Sequence, residues 1–207
     1  MPKKQKKNGV KTLELFFNKK EAQKIKKKYG YAEIITSNNL VADTDNLDDF
    51  IKGIKELMND DTIFFFETFY FYSQVKNFVW DFTYHEHYSY LTAHSVDVVS
   101  KKCGLTLFHV DRLPTHGGSN RYWLSKSMIP DETVKNVLDD EVNSGLFDED
   151  KWEYFATRSR NAINGLNEWF LEREKLGHVV VGYGAAHKGN TFLNAVGENA
   201  KILKYVV

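Results

Sequence analysis

A single cysteine, Cys103, stands in the 207 residues. One thiol builds neither a disulfide framework nor a four-cysteine zinc centre, and it suits a reducing compartment, so a cytoplasmic protein is expected. Long apolar runs are also missing. Nothing approaches the roughly 20 residues of a membrane span, and the N-terminus carries no secretory apolar region, so no membrane partner is expected. Net charge is absent too, with 28 basic and 28 acidic residues. The basic groups are unevenly placed, at Lys3, Lys4, Lys6, Lys7 and the triplet Lys26-Lys27-Lys28. Such tracts can bind nucleic acid. No recognition motif accompanies this one, and the solvated face of a helix accounts for it, so no nucleic-acid partner is expected. Glycine is scarce early: only Gly9 precedes Gly30, which leaves no Gly-rich cofactor loop in that stretch.

What remains is the composition of a globular chain, 42% hydrophobic and 27% charged. The length suits one domain, or one and a half small ones. Aromatic residues make up 14% of the chain and crowd between Phe64 and Tyr90, which points to a deep pocket or a heavily packed half-domain. Residues 10–17 alternate like a strand, and Asn18 caps a helix over 19–29 that Gly30 closes. A strand over 32–37 follows. Asp45 and Asn46 then precede a helix through Met58, with Leu47, Phe50, Ile51, Ile54 and Leu57 at helical spacing. The continuous apolar run 62–66 predicts a buried parallel strand. Strand–helix–strand order of this kind implies an α/β fold. Further along, the pattern predicts a helix over 92–102 ending at Gly104. Two strands, 105–112 and 121–126, flank a turn at 115–119. A long helix over 148–176 has Trp152, Phe155, Ile163, Leu166, Trp169 and Phe170 facing inward, and 178–207 reads as strand–turn–helix–strand.

The segment Tyr84-His85-Glu86-His87-Tyr88-Ser89-Tyr90 packs two imidazoles, a carboxylate and three phenols into seven residues. Packing does not require that combination, whereas proton transfer near neutral pH does. If the segment is extended, His85 and His87 share one face and Tyr84 and Glu86 the other. His-x-His also invites a metal, with His94, His109 and His116 as further ligands. The zinc-protease spacing is absent, and no metal is expected. Gly117 and Gly118 allow the backbone a close approach to a neighbour or ligand. Between Gly184 and Thr191 the glycines are spaced like a phosphate-binding loop, but Asn190 stands where that motif requires Lys, so nucleotide hydrolysis is not indicated. A strand still delivers a Gly-rich turn to a helix N-terminus, whose free amides and dipole favour anions.

Three segments carry a family resemblance: Tyr84-His85-Glu86-His87, Thr115-His116-Gly117-Gly118-Ser119 and Gly184-Ala185-Ala186-His187-Lys188-Gly189-Asn190-Thr191. Together they resemble the S-adenosylmethionine-dependent sugar C-methyltransferases that act on nucleotide-linked deoxysugars, and the likeness runs from about Asn8 to Val207. The resemblance implies a partial Rossmann-like methyltransferase domain over 1–91. The start of a second Rossmann-like, C-terminal domain then follows over 92–207, with the helix 148–176 as a bridge. It also implies a fragment without the family's zinc module, the first half of its cofactor domain or its C-terminal end.

The implied chemistry is methyl transfer from S-adenosylmethionine to a sugar carbon beside a keto group. His87 would be the base, and Glu86 and Tyr84 would bind the sugar or orient that base. The implied nucleotide-sugar contacts are His116, Gly117, Gly118, Tyr183, Gly184, Lys188, Gly189, Asn190 and Thr191. Asn38 and Asn39 are the implied cofactor contacts. Two departures stand out. Asn38-Asn39-Leu40-Val41-Ala42 runs into Asp43 where the family usually has a histidine, and Glu67-Thr68-Phe69 replaces a common Val-Pro. The expectation is a chain inactive alone. It is either completed by a second polypeptide that supplies the cofactor half, or a non-catalytic nucleotide-sugar-binding relic.

Overall fold

The computed structural model describes Gly9, residues 11–184 and residues 186–207. The lysines at 3–7, Val10 and Ala185 of the Gly-rich turn lie outside the described residues.

Helix α1 (Lys19–Tyr29) begins where the Asn18 side chain accepts the Glu21 N–H at 2.8 Å. It ends where Gly30, at φ 82°, returns its N–H to the Lys26 carbonyl. Strand β1 (Ala32–Asn38), helix α2 (Leu47–Leu57) and strand β2 (Met58–Phe69) form the expected βαβ unit, with β1 and β2 parallel. Asn46 caps α2 by accepting the Asp49 N–H. On the other side, β2 pairs antiparallel with β4 (Ser119–Ser125), which forms a hairpin with β3 (Thr106–Leu113). The sheet order is β1-β2-β4-β3. A short helix α3 (Phe71–Lys76) leaves β2, and helices α4 (Ala93–Lys102) and α5 (Glu132–Asn143) pack against the hairpin. The main core gathers Phe50, Ile51, Ile54, Phe64, Phe66, Val96, Leu107, Tyr122, Leu124 and Val137. The mixed α/β sheet is Rossmann-like in kind. It also joins strands from both sides of the 91/92 boundary expected from the sequence.

Helix α6 (Glu149–Lys175) follows, then β5 (Val180–Gly182), α7 (His187–Val196) and β6 (Leu203–Val206). Strands β5 and β6 pair in parallel, as the strand–turn–helix–strand reading of 178–207 expected.

Three expectations are corrected. Residues 11–17 take no strand conformation, because the run does not bury one face: Phe16 is 95% exposed, and of its apolar residues Phe17 is the one packed against the described core. The run 62–66 is not buried on both faces but alternates along a longer strand, since Phe64 and Phe66 enter the core while Phe65 is half-buried against Trp123. Of the six inward positions expected on α6, only Phe170 is buried, and Trp169 is 44% exposed. Helix α5 was not foreseen, although Asp131 caps it by accepting the Thr133 N–H at 2.9 Å. No helix among the described residues is long and apolar enough to cross a membrane.

Candidate functional site

The carboxyl ends of β1 and β2, the 3-10 turn Val41–Asp43, the segment 80–87, the hairpin turn at His116 and the first turn of α7 converge on one cleft of about 440 Å³. Its floor is a second apolar cluster of Ala42, Phe69 and Phe82, with Val79, Tyr84 and Tyr90 against it. Asn39, Asp43, Thr68, Tyr84, Glu86, His87, His116, Ala186, His187 and Lys188 complete the lining.

The Tyr84–His87 segment is not extended. The His87 N–H returns to the Tyr84 carbonyl at 3.1 Å, and the Tyr88 and Ser89 amides both go to the Ala42 carbonyl, at 2.9 and 3.0 Å. This turn replaces the expected alternation. Tyr84, Glu86 and His87 all line the cleft, while His85 and Tyr88 do not.

His87 sits among aromatic rings, with centroids 4.1 Å from Tyr84, 4.4 Å from Phe69 and 5.4 Å from Phe82. Its Nδ1 lies 3.0 Å from the Phe82 carbonyl oxygen. A carbonyl only accepts, so Nδ1 carries the hydrogen, and in the neutral ring Nε2 keeps the basic lone pair. Burial pushes the imidazole's pKa down from its ordinary value; the Phe82 carbonyl and the charges of Asp43 and Glu86 oppose that shift without cancelling it. The ring is therefore neutral at neutral pH. Burial, reinforced by Glu86, Asp43 and Tyr90, pushes the Tyr84 phenol up, so it remains a hydrogen-bond donor. Burial also raises the Asp43 carboxyl, with His87 drawing it down and Glu86 pushing it further up.

The first turn of α7 closes the cleft from the far side. Its cap residue, Ala186, offers no side chain to the first-turn amides. His187 Nδ1 lies 2.8 Å from Glu86 Oε2. Lys188 Nζ sits 4.1 Å over the Phe82 ring and 4.0 Å from Asp81 Oδ2.

Of the residues singled out from sequence, the cleft thus gathers Tyr84, Glu86, His87, His116, Lys188 and Asn39. Asn38, Gly117, Gly118, Tyr183, Gly184, Gly189, Asn190 and Thr191 are not among its lining residues. Tyr183 is 95% exposed. The Gly118 carbonyl accepts the Tyr70 N–H at 3.0 Å, and the Gly117 carbonyl accepts from Asn77 Nδ2 at 3.0 Å. Both glycines thereby fasten the hairpin turn to α3. The other histidines are dispersed: His94 packs on Phe147, and His109 lies between Asp111 and Asp131. Sequence reasoning gave His187 no contact role, although it stands within the family motif Gly184–Thr191 and at the first position of the helix that follows the Gly-rich turn.

A neutral imidazole of fixed tautomer, a protonated phenol and a cationic helix N-terminus around one cleft define a site suited to taking a proton from a bound, anionic substrate. Residues 114–207 match the family model of the C-methyltransferase C-terminal domain. Over 192 residues, 91% of this chain, the sequence is 27% identical to the C-methyltransferase NovU of Streptomyces niveus. That match covers 46% of the relative, so the chain spans about half the length of the curated protein it resembles. Both comparisons make C-methyltransferases what this chain is similar to, through its C-terminal part and across most of its length.

Proposed function

We propose that the cleft is the base-bearing part of an S-adenosylmethionine-dependent C-methyltransferase, and that it takes a nucleotide-linked keto-deoxysugar. The observation that carries this reading is His87, neutral and fixed through Nδ1 by the Phe82 carbonyl, in one cleft with Tyr84 and Lys188. Nε2 of His87 removes the acidic C–H proton beside the keto group. The Tyr84 phenol donates toward the oxygen on which enolate charge develops. Lys188 and the first-turn amides of His187 and Lys188, which no side chain caps, receive the diphosphate.

When bound, S-adenosylmethionine would supply an activated methyl on a sulfonium. Asn39 and the Asp43 carboxylate, both lining the cleft, fit the positive end of that cofactor. Among the described residues no Gly-rich strand-to-helix turn lies ahead of β1 to hold its nucleoside.

Proton abstraction can be read without the cofactor. The chain, incubated in D₂O with a thymidine-diphosphate-linked 4-keto-6-deoxysugar, should exchange a carbon-bound hydrogen beside the keto group for deuterium, and His87→Gln should abolish the exchange. Saturable binding with no exchange would instead identify a nucleotide-sugar-binding module. That second reading is favoured by Asp43, a carboxylate whose charge opposes a developing oxyanion in the same cleft.

A further inference from the structure

Three side chains of α7 reach across the cleft to the segment 81–86. His187 Nδ1 meets Glu86 Oε2 at 2.8 Å. Lys188 Nζ lies 4.0 Å from Asp81 Oδ2. The Thr191 hydroxyl donates to the Thr83 carbonyl at 3.3 Å. A helix N-terminus attracts anions, and here both nearby nitrogen bases already face carboxylates of the protein itself. These are exposed pairs: the His187 and Glu86 side chains keep 62% and 45% of their accessibility. Exposed ion pairs hold weakly, whereas a diphosphate brings more charge and more acceptor oxygens to the same donors.

We propose that His187 is a positioning residue that exchanges one anion for another. It holds Glu86 in the ligand-free cleft and passes to the diphosphate of a nucleotide-linked ligand in the bound one, which releases Glu86 beside Tyr84 and His87. This rests on the reading of the cleft as a nucleotide-sugar site. Thr68 gives that reading independent support: it is wholly buried, its hydroxyl has no hydrogen-bond partner among the described residues, and it lines the same cleft. Through the exchange, recognition of the diphosphate controls when the carboxylate becomes free to meet the sugar. A sugar without its diphosphate finds Glu86 engaged. Asp81 stands to Lys188 as Glu86 stands to His187, so both donors at the helix start change partner together.

Isothermal titration of the full chain with thymidine diphosphate tests the exchange in the parent, Glu86→Gln, His187→Gln and the double variant. All the altered side chains are exposed, and circular dichroism verifies that each variant is folded. Removing the internal competitor should make Glu86→Gln bind about three- to tenfold tighter, and His187→Gln should bind weaker by a similar factor. The double variant should match His187→Gln alone, because Glu86 then has nothing to release. A Glu86→Gln affinity no better than the parent's overturns the exchange and leaves the nucleotide-sugar reading standing. So does a gain that persists in the His187→Gln background, since that would be only the loss of a repelling charge. Absence of binding in the parent and every variant overturns both.

Discussion

The buried Glu141 carboxylate of α5 accepts the Ala93 backbone N–H at 2.5 Å, and its second oxygen accepts the next amide, His94 N–H, at 2.9 Å. Thr92 and Ser95 cap each other reciprocally at the same helix start. The first three amides of α4 are therefore all satisfied, two of them by a residue distant in sequence. A carboxylate is the right charge for that end of a helix.

Glu141→Ala should destabilise the chain by about 2–4 kcal/mol, because two buried amides lose their acceptor. Glu141→Gln should cost less, about 1–2 kcal/mol, since one oxygen can still accept. Urea unfolding midpoints measure both. An alanine variant within about 0.5 kcal/mol of the parent, the usual range for surface changes, would mean that the amides find other partners.

Gly118 is held at φ 123°, and a Cβ built there would lie 2.5 Å from both Cβ and Oγ of Ser73. Gly118→Ala should therefore strain the backbone and push the 115–119 turn off α3, at a cost of at least about 2 kcal/mol. Gly117 has φ 79° but only Val79 Cγ2 at 3.7 Å, so Gly117→Ala should cost less, about 1 kcal/mol. Equal thermal shifts for the two variants would contradict the steric argument.

The tautomer of His87 is open to measurement. Nitrogen chemical shifts of the neutral ring should place the hydrogen on Nδ1, as the Phe82 carbonyl requires. Its titration midpoint should fall below the ordinary histidine value, because burial lowers it. Asp43 acts in the opposite direction on that ring, so Asp43→Asn should move the midpoint lower still. An upward movement in Asp43→Asn would show that burial, not charge, couples the two groups.

Much of this fold is legible in the sequence where the determinants are local. Asn18 and Gly30 fix both ends of α1, and Thr92 opens α4, because a cap is a hydrogen bond made within one turn. The alternation of residues 11–17 misleads because alternation alone does not bury one face: Leu13, Leu15 and Phe16 all remain exposed. At the site, residue types alone could mark the segment Tyr84–Tyr90, within which the family resemblance singles out Tyr84, Glu86 and His87. Their geometry could not be read there, since it depends on the Ala42 carbonyl taking two amides of the motif. The His187–Glu86 contact was invisible for the same reason as the Glu141 cap: each joins segments far apart in sequence.

Two histidines should give the pH dependence of stability opposite signs. His109 donates toward two carboxylates, Asp131 Oδ2 at 2.6 Å from Nδ1 and Asp111 Oδ1 at 3.1 Å from Nε2. The Asp131 hydrogen bond raises its pKa, burial opposes, and Asp111 adds to the rise. A raised pKa means that the folded chain keeps a proton the unfolded chain gives up. The His109 contribution is thus complete below the unfolded value of about 6.5 and is lost as pH climbs through the folded value. His87, lowered chiefly by burial, does the reverse: its contribution is present above about 6.5 and is lost as pH falls through its folded value. Unfolding at about pH 5.5 and about pH 8.5 separates the two effects. His109→Gln should cost more at the acid pH than at the alkaline one. His87→Gln should cost less at the acid pH. Parallel stability curves for the parent and His109→Gln would show that the Asp131–His109–Asp111 contact holds no proton that the unfolded chain lacks.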